Sequence, residues 1–127
     1  MTKLLLVFLG SGIGGAARYG VNVWSLKAFG PGFPAGTLIV NVVGGLAMGL
    51  IAGWLAFRAS VPWSQDLRLF LTTGILGGFT TFSAFSLDAV TLIERGDYGA
   101  AALYVVLSVV LSIAAVAVGL AVIRSFS

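Results

Sequence analysis

Four apolar segments, about 4–26, 37–57, 69–93 and 100–123, constrain this chain more than any other feature. Each is long enough to cross roughly 30 Å of hydrocarbon at about 1.5 Å per residue. The second and fourth contain no charged residue. Between the segments lie AFGPGFPA, RASVPWSQDLR and ERGDYG, all rich in turn formers, with Arg58, Pro62, Trp63 and Arg68 where interfacial anchors belong. Backbone polar groups in lipid must be satisfied within their own segment, so the expectation is one all-α integral membrane domain of four helices joined by short loops. The balance of 59% hydrophobic against 9% charged residues agrees, since soluble domains carry about 25% charge. The start MTKLLLVFLGSGIGGAA has a signal-peptide look, but its unbroken apolar part, Leu4 to Leu9, is short for a leader, and a retained first span is expected.

The residue inventory removes several kinds of chemistry. With no Cys and no His, disulfides, thiol catalysis, Cys/His metal sites and imidazole acid–base catalysis are excluded. No nucleophile–base pair supports an enzyme. The net charge of +3 comes from scattered Lys and Arg that form no basic patch, so nucleic acid is not an expected partner. With both termini on one side, that side carries Lys3, Arg58, Arg68 and Arg124, and the other carries Lys27, Arg95 and, by its position about 21 Å along the first helix, Arg18. So even a tally predicts insertion in both orientations and an antiparallel, dual-topology homodimer.

Small residues recur at four-residue steps: Gly10 with Gly14, Ser11 with Gly15, and Gly45, Gly49 and Gly53. These stripes are read as helix-packing faces, where backbones approach and gain dispersion contact. A four-helix subunit this small has little interior, so a transport path is expected at a subunit interface.

Polar side chains inside the apolar segments are the candidates for function. Thr37 and Asn41 are four apart and share a helix face. Tyr104, Ser108 and Ser112 repeat that interval over about 12 Å, drifting only about 80° around the helix. A Ser or Thr hydroxyl can be satisfied on the carbonyl one turn back, a functionless arrangement. Asn41 cannot satisfy two donors and an acceptor locally, which points to an interface partner or a permeating ion.

The stretch GILGGFTTFSAFS, 74–86, is poor material for a continuous helix. Gly77 and Gly78 in mid-segment, followed by Thr80, Thr81 and Ser83, predict an interruption. Irregular backbone at membrane depth survives only where protein or a water-lined cavity shelters it, and its free carbonyls can hold a small cation. Phe82 and Phe85 face the same way after the break, and electropositive ring edges can line an anion path. Arg18 is the basic residue set well inside an apolar segment, placed either for function or to snorkel. Asp88 reads equally as a helix-end residue reaching water.

Together GSGIGGAARYG, GTLIVNVVGG and GILGGFTTFSAFS resemble the Fluc (CrcB) fluoride channels over nearly the whole chain. The resemblance implies a multi-pass inner-membrane protein that passively exports fluoride and relieves fluoride toxicity. It implies an antiparallel homodimer with two pores and a central sodium ion held by backbone carbonyls. Carried over by motif, Gly77 and Thr80 would supply those carbonyls. Phe82 and Phe85 would contact fluoride, with Asn41, Ser83 and Thr37 in the pore and Tyr104, Ser108 and Ser112 as its fourth-helix track. Arg18 would stand in the vestibule. Family members usually carry Thr where this chain has Ala84, so any hydroxyl role there is absent or taken by a neighbour. The competing reading is a small dual-topology proton-coupled exporter of organic cations, which needs a membrane carboxylate and here has only Asp88. A non-transporting membrane subunit would account for the glycine stripes and leave the polar ladders unexplained.

Overall fold

The computed structural model describes residues 1–56 and 62–126. Phe57 at the end of the second expected segment and Arg58 of the charge tally lie outside the described residues. The chain runs as α1 (Thr2–Phe29), α2 (Ala35–Ala56), α3 (Ser64–Arg68), a π-helical stretch (Leu69–Leu76), α4 (Gly77–Phe79), α5 (Phe82–Glu94) and α6 (Tyr98–Ser125). Four helical units are long and apolar enough to cross a membrane: α1, α2, the composite 64–94 and α6. These correspond to the four segments expected, with α1, the composite 64–94 and α6 running one to five residues further at each end and α2 starting two residues earlier. Gly30 and Gly96 end α1 and α5 with φ of 76° and 82°, a left-handed conformation that side chains with a Cβ disfavour.

Glycines bring these helices together in two pairs. On α2, a Cβ at Gly45 would meet the Ser112 carbonyl at 2.8 Å, and at Gly53 it would meet Ile123 at 3.0 Å. A Cβ at Gly49 would collide with the Val116 carbonyl, and Gly119 of α6 answers with its own close approach to Leu46, at 2.6 Å. On α1, Gly10 faces the Phe70 carbonyl and Gly74, while Gly14 faces Ile75 and Phe79. Backbone-to-backbone approach of this kind supplies the dispersion contact that drives association in lipid. Gly15 has nothing within 4 Å of a built Cβ, so it takes no part in packing within this subunit.

The interruption falls at the threonines within the expected stretch and not at its glycines. Gly77 is helical, with φ −61° and ψ −37°, and the chain turns extended at Thr80 (φ −86°, ψ 160°) and Thr81 (φ −155°, ψ 124°). Gly78 serves close approach instead: a Cβ there would strike the Ser11 backbone. The π-helical stretch before the break carries a side-chain bond to its own backbone. Thr72 Oγ1 donates to the Arg68 carbonyl, one turn back, at 2.6 Å. At the far end of the stretch, the Gly77 N–H reaches back five residues to Thr72.

Candidate functional site

Thr81 organises the break. Its hydroxyl accepts the Ala84 N–H at 3.1 Å, which makes it the N-cap of α5 and starts a new helix at Phe82. Its backbone pairs with Asn41 of α2: Asn41 Nδ2 donates to the Thr81 carbonyl at 3.0 Å, and the Thr81 N–H donates to Asn41 Oδ1 at 2.8 Å. The amide group thus acts as one rung of a β-ladder, holding both Thr81 polar groups that an α-helix would have used. Asn41 therefore finds its partner within the subunit, in the backbone of the third membrane segment. One Nδ2 hydrogen is left over.

Diverting these donors releases carbonyls. The helical donor for Gly77 would be the Thr81 N–H, which goes to Asn41, and that for Thr80 would be the Ala84 N–H, which goes to the Thr81 hydroxyl. The Leu76 carbonyl takes both the Thr80 N–H and the Thr80 hydroxyl, each at 2.9 Å. Arg18 Nε donates to the Gly78 carbonyl at 3.1 Å, so Arg18 is a helix-end cap with its charge at the negative pole of the first half-helix.

A cavity of about 450 Å³ opens beside the break. Asn41, Thr80, Thr81, Phe82, Phe85, Ser108 and Ser112 line it together with Gly44, Gly45, Met48 and the apolar face of α6. Ser108 and Ser112 have buried hydroxyl oxygens with no hydrogen-bond partner among the described residues. Thr72, Thr80, Ser86 and Thr91 all bond to the carbonyl one turn back. The two α6 serines do not, and a buried hydroxyl in an apolar wall is costly unless something accepts from it or donates to it. Phe82 and Phe85 lie in contact with ring centroids 5.6 Å apart and planes tilted by 45°, and Phe82 is 78% exposed in the single subunit.

The remaining expected residues fall elsewhere. Tyr104 is fully buried, its ring against Phe85 at 5.2 Å and Phe33 at 5.5 Å. Its hydroxyl donates to Asp88 Oδ2 at 3.2 Å, and the Thr37 hydroxyl donates to the same oxygen at 2.8 Å. The ladder expected along α6 is thus divided: its two serines face the cavity by the break, while Tyr104 joins Thr37 on Asp88. Ser83 is exposed, with its hydroxyl 3.3 Å from that of Thr81. Sequence reasoning passed over Thr81 and Met48 as lining residues and Asp88 as a polar hub. Thr81 carried a readable signal, an N-cap hydroxyl three residues before the amide it caps.

Known proteins resemble this chain over nearly its whole length. The family described as "CrcB-like protein, Camphor Resistance (CrcB)" matches residues 5–120. The chain is 62% identical over 126 residues, 99% of each chain, to "Fluoride-specific ion channel FluC" of Methylobacterium sp. (strain 4-46). It is 55% identical over 120 residues to "Fluoride-specific ion channel FluC 2" of Nitrobacter hamburgensis, covering 94% of this chain and 95% of the relative. It is 53% identical over 125 residues, 98% of each chain, to "Fluoride-specific ion channel FluC" of Agrobacterium fabrum. With its glycine-packed helices, its break at Thr80–Thr81 and a match over nearly its full length, this chain belongs to the CrcB-like family.

Proposed function

We propose that this chain is a subunit of a passive, fluoride-selective channel of the inner membrane that exports fluoride and relieves its toxicity. The observation that carries the reading is the cavity beside the break, where the Ser108 and Ser112 hydroxyls, without partners among the described residues, stand among apolar walls next to Asn41, Phe82 and Phe85. Fluoride is small and strongly hydrated, so a pore must replace its water with hydrogen-bond donors without trapping it. Two hydroxyls, one spare amide hydrogen and phenylalanine ring edges are weak donors in series, and none carries a formal charge.

The active form is an antiparallel homodimer with two pores. Phe82 and Gly77 are exposed in the single subunit, where a second copy would cover them and close the side of the cavity. The carbonyls of Gly77 and Thr80, stripped of their helical donors, have the chemistry to hold a sodium ion between the subunits. Bound there, a cation supplies fixed positive potential that favours anions. Labelling of tagged termini tests the topology: C-termini found on both sides of the membrane support it, and C-termini confined to one side overturn it.

The test of function is ion efflux from liposomes containing the purified protein, read with fluoride and chloride electrodes in parallel under shunted membrane potential. Rapid fluoride release with chloride retained is expected. No fluoride release from folded dimers would overturn the reading. Proton-coupled uptake of a lipophilic cation, lost in Asp88→Asn, would establish the exporter in its place.

A further inference from the structure

Two cavities meet at one side chain. Met48 of α2 lines the cavity by the break and also a larger one, of about 680 Å³, between the C-terminal half of α2 and the start of the third membrane segment. Among the described residues no other lines both. The larger cavity has a polar wall of Ser64, Gln65, Arg68, Thr72 and Thr73, and Arg68 is the one charged residue lining it among the described residues. A positive charge with no carboxylate beside it makes a chamber that admits anions.

Asn41, Gly45, Met48 and Ala52 follow one another along α2 at four, three and four residues and so share a face. Between Asn41 and Leu55 the lining residues of α2 are Gly44, Gly45, Met48 and Ala52, and among them Met48 alone has a side chain longer than a methyl group. The glycines on either side of it hold α2 against α6, Gly45 at the Ser112 carbonyl and Gly49 at the Val116 carbonyl. The movable part at this level is therefore the Met48 side chain, unbranched and with three rotatable bonds. An apolar constriction between two polar chambers excludes water, and with it an ion that still carries its hydration. We propose that the Met48 side chain is the apolar barrier between these two cavities, and that its rotation opens the way for fluoride between Ser112 and the chamber at Arg68. This inference rests on the fluoride reading above.

Fluoride efflux from liposomes measured for the parent, Met48→Ala and Met48→Phe tests it. Met48→Ala keeps the helix and removes the barrier, and should speed efflux several-fold; Met48→Phe, bulkier and stiffer, should slow it several-fold. Equal or slower efflux in folded Met48→Ala overturns the proposal. A thiol assay reads the barrier without fluoride. The chain has no cysteine, so Ser112→Cys sets a single thiol in the cavity by the break and Thr73→Cys sets one in the larger cavity. A negatively charged methanethiosulfonate in the bath should modify Ser112→Cys several-fold faster when Met48→Ala is added. Thr73→Cys, at an exposed position beyond the barrier, should react at the same rate with either residue at position 48. Equal rates at Ser112→Cys overturn the barrier, and so does an acceleration that Thr73→Cys shares, which would mark a general loosening of the bundle. If the parent carries no fluoride, the channel reading itself fails, and the thiol rates alone decide whether Met48 separates the two cavities.

Discussion

Asn41 and Thr81, forty residues apart, exchange two hydrogen bonds of 3.0 and 2.8 Å, and through them α2 holds open the gap between the two halves of the third membrane segment. A side-chain amide is suited to this because it offers a donor and an acceptor in one plane, matching the backbone of a single extended residue. Asn41→Leu preserves approximate size and removes both bonds. It should destabilise the subunit by about 1–3 kcal/mol, since membrane hydrogen bonds are individually modest and two backbone groups are left unpaired. Unfolding in a denaturing-detergent titration measures this, and an unchanged midpoint would contradict the clamp.

Ser108→Ala and Ser112→Ala separate a structural hydroxyl from a functional one. Neither oxygen has a partner among the described residues, so removing it should leave stability within about 0.5 kcal/mol of the parent or raise it. Fluoride efflux should nevertheless fall, by about tenfold for loss of one good donor. The same detergent titration run beside the electrode assay reads both quantities.

Phe82→Ile makes a complementary case. The ring is 78% exposed in the subunit, and its removal should cost the subunit little folding energy while abolishing or strongly reducing fluoride flux. Unchanged conduction in Phe82→Ile would remove the phenylalanine pair from the path.

Glycine substitutions test the two packing seams. Gly49→Ala would drive a methyl group into the Val116 carbonyl, with backbone rather than a flexible side chain as the obstacle. A loss of about 1–3 kcal/mol is expected from overpacking. Gly99→Ala at the start of α6 meets nothing within 4 Å and should be neutral or slightly stabilising, as alanine is the better helix former. Equal effects at the two sites would show that the seam is not as tight as its geometry.

Hydropathy and small-residue spacing, read along the chain, determined the four membrane segments, the packing roles of Gly10, Gly14, Gly45, Gly49 and Gly53, and the presence of an interruption within 74–86. These properties are local: they depend on segment length, on periodicity around one helix and on the residues flanking a break. Tertiary structure decided the rest. It placed the break at Thr80–Thr81, because Asn41 takes up the Thr81 backbone groups while Gly77 stays helical and Gly78 packs against Ser11 of α1. It turned Arg18 onto the Gly78 carbonyl, sixty residues away. It divided the α6 ladder as well, because the Tyr104 hydroxyl found a carboxylate in reach and the two serines found none. Helical spacing can say that three side chains share a face; which partners meet that face depends on how separate helices pack against one another.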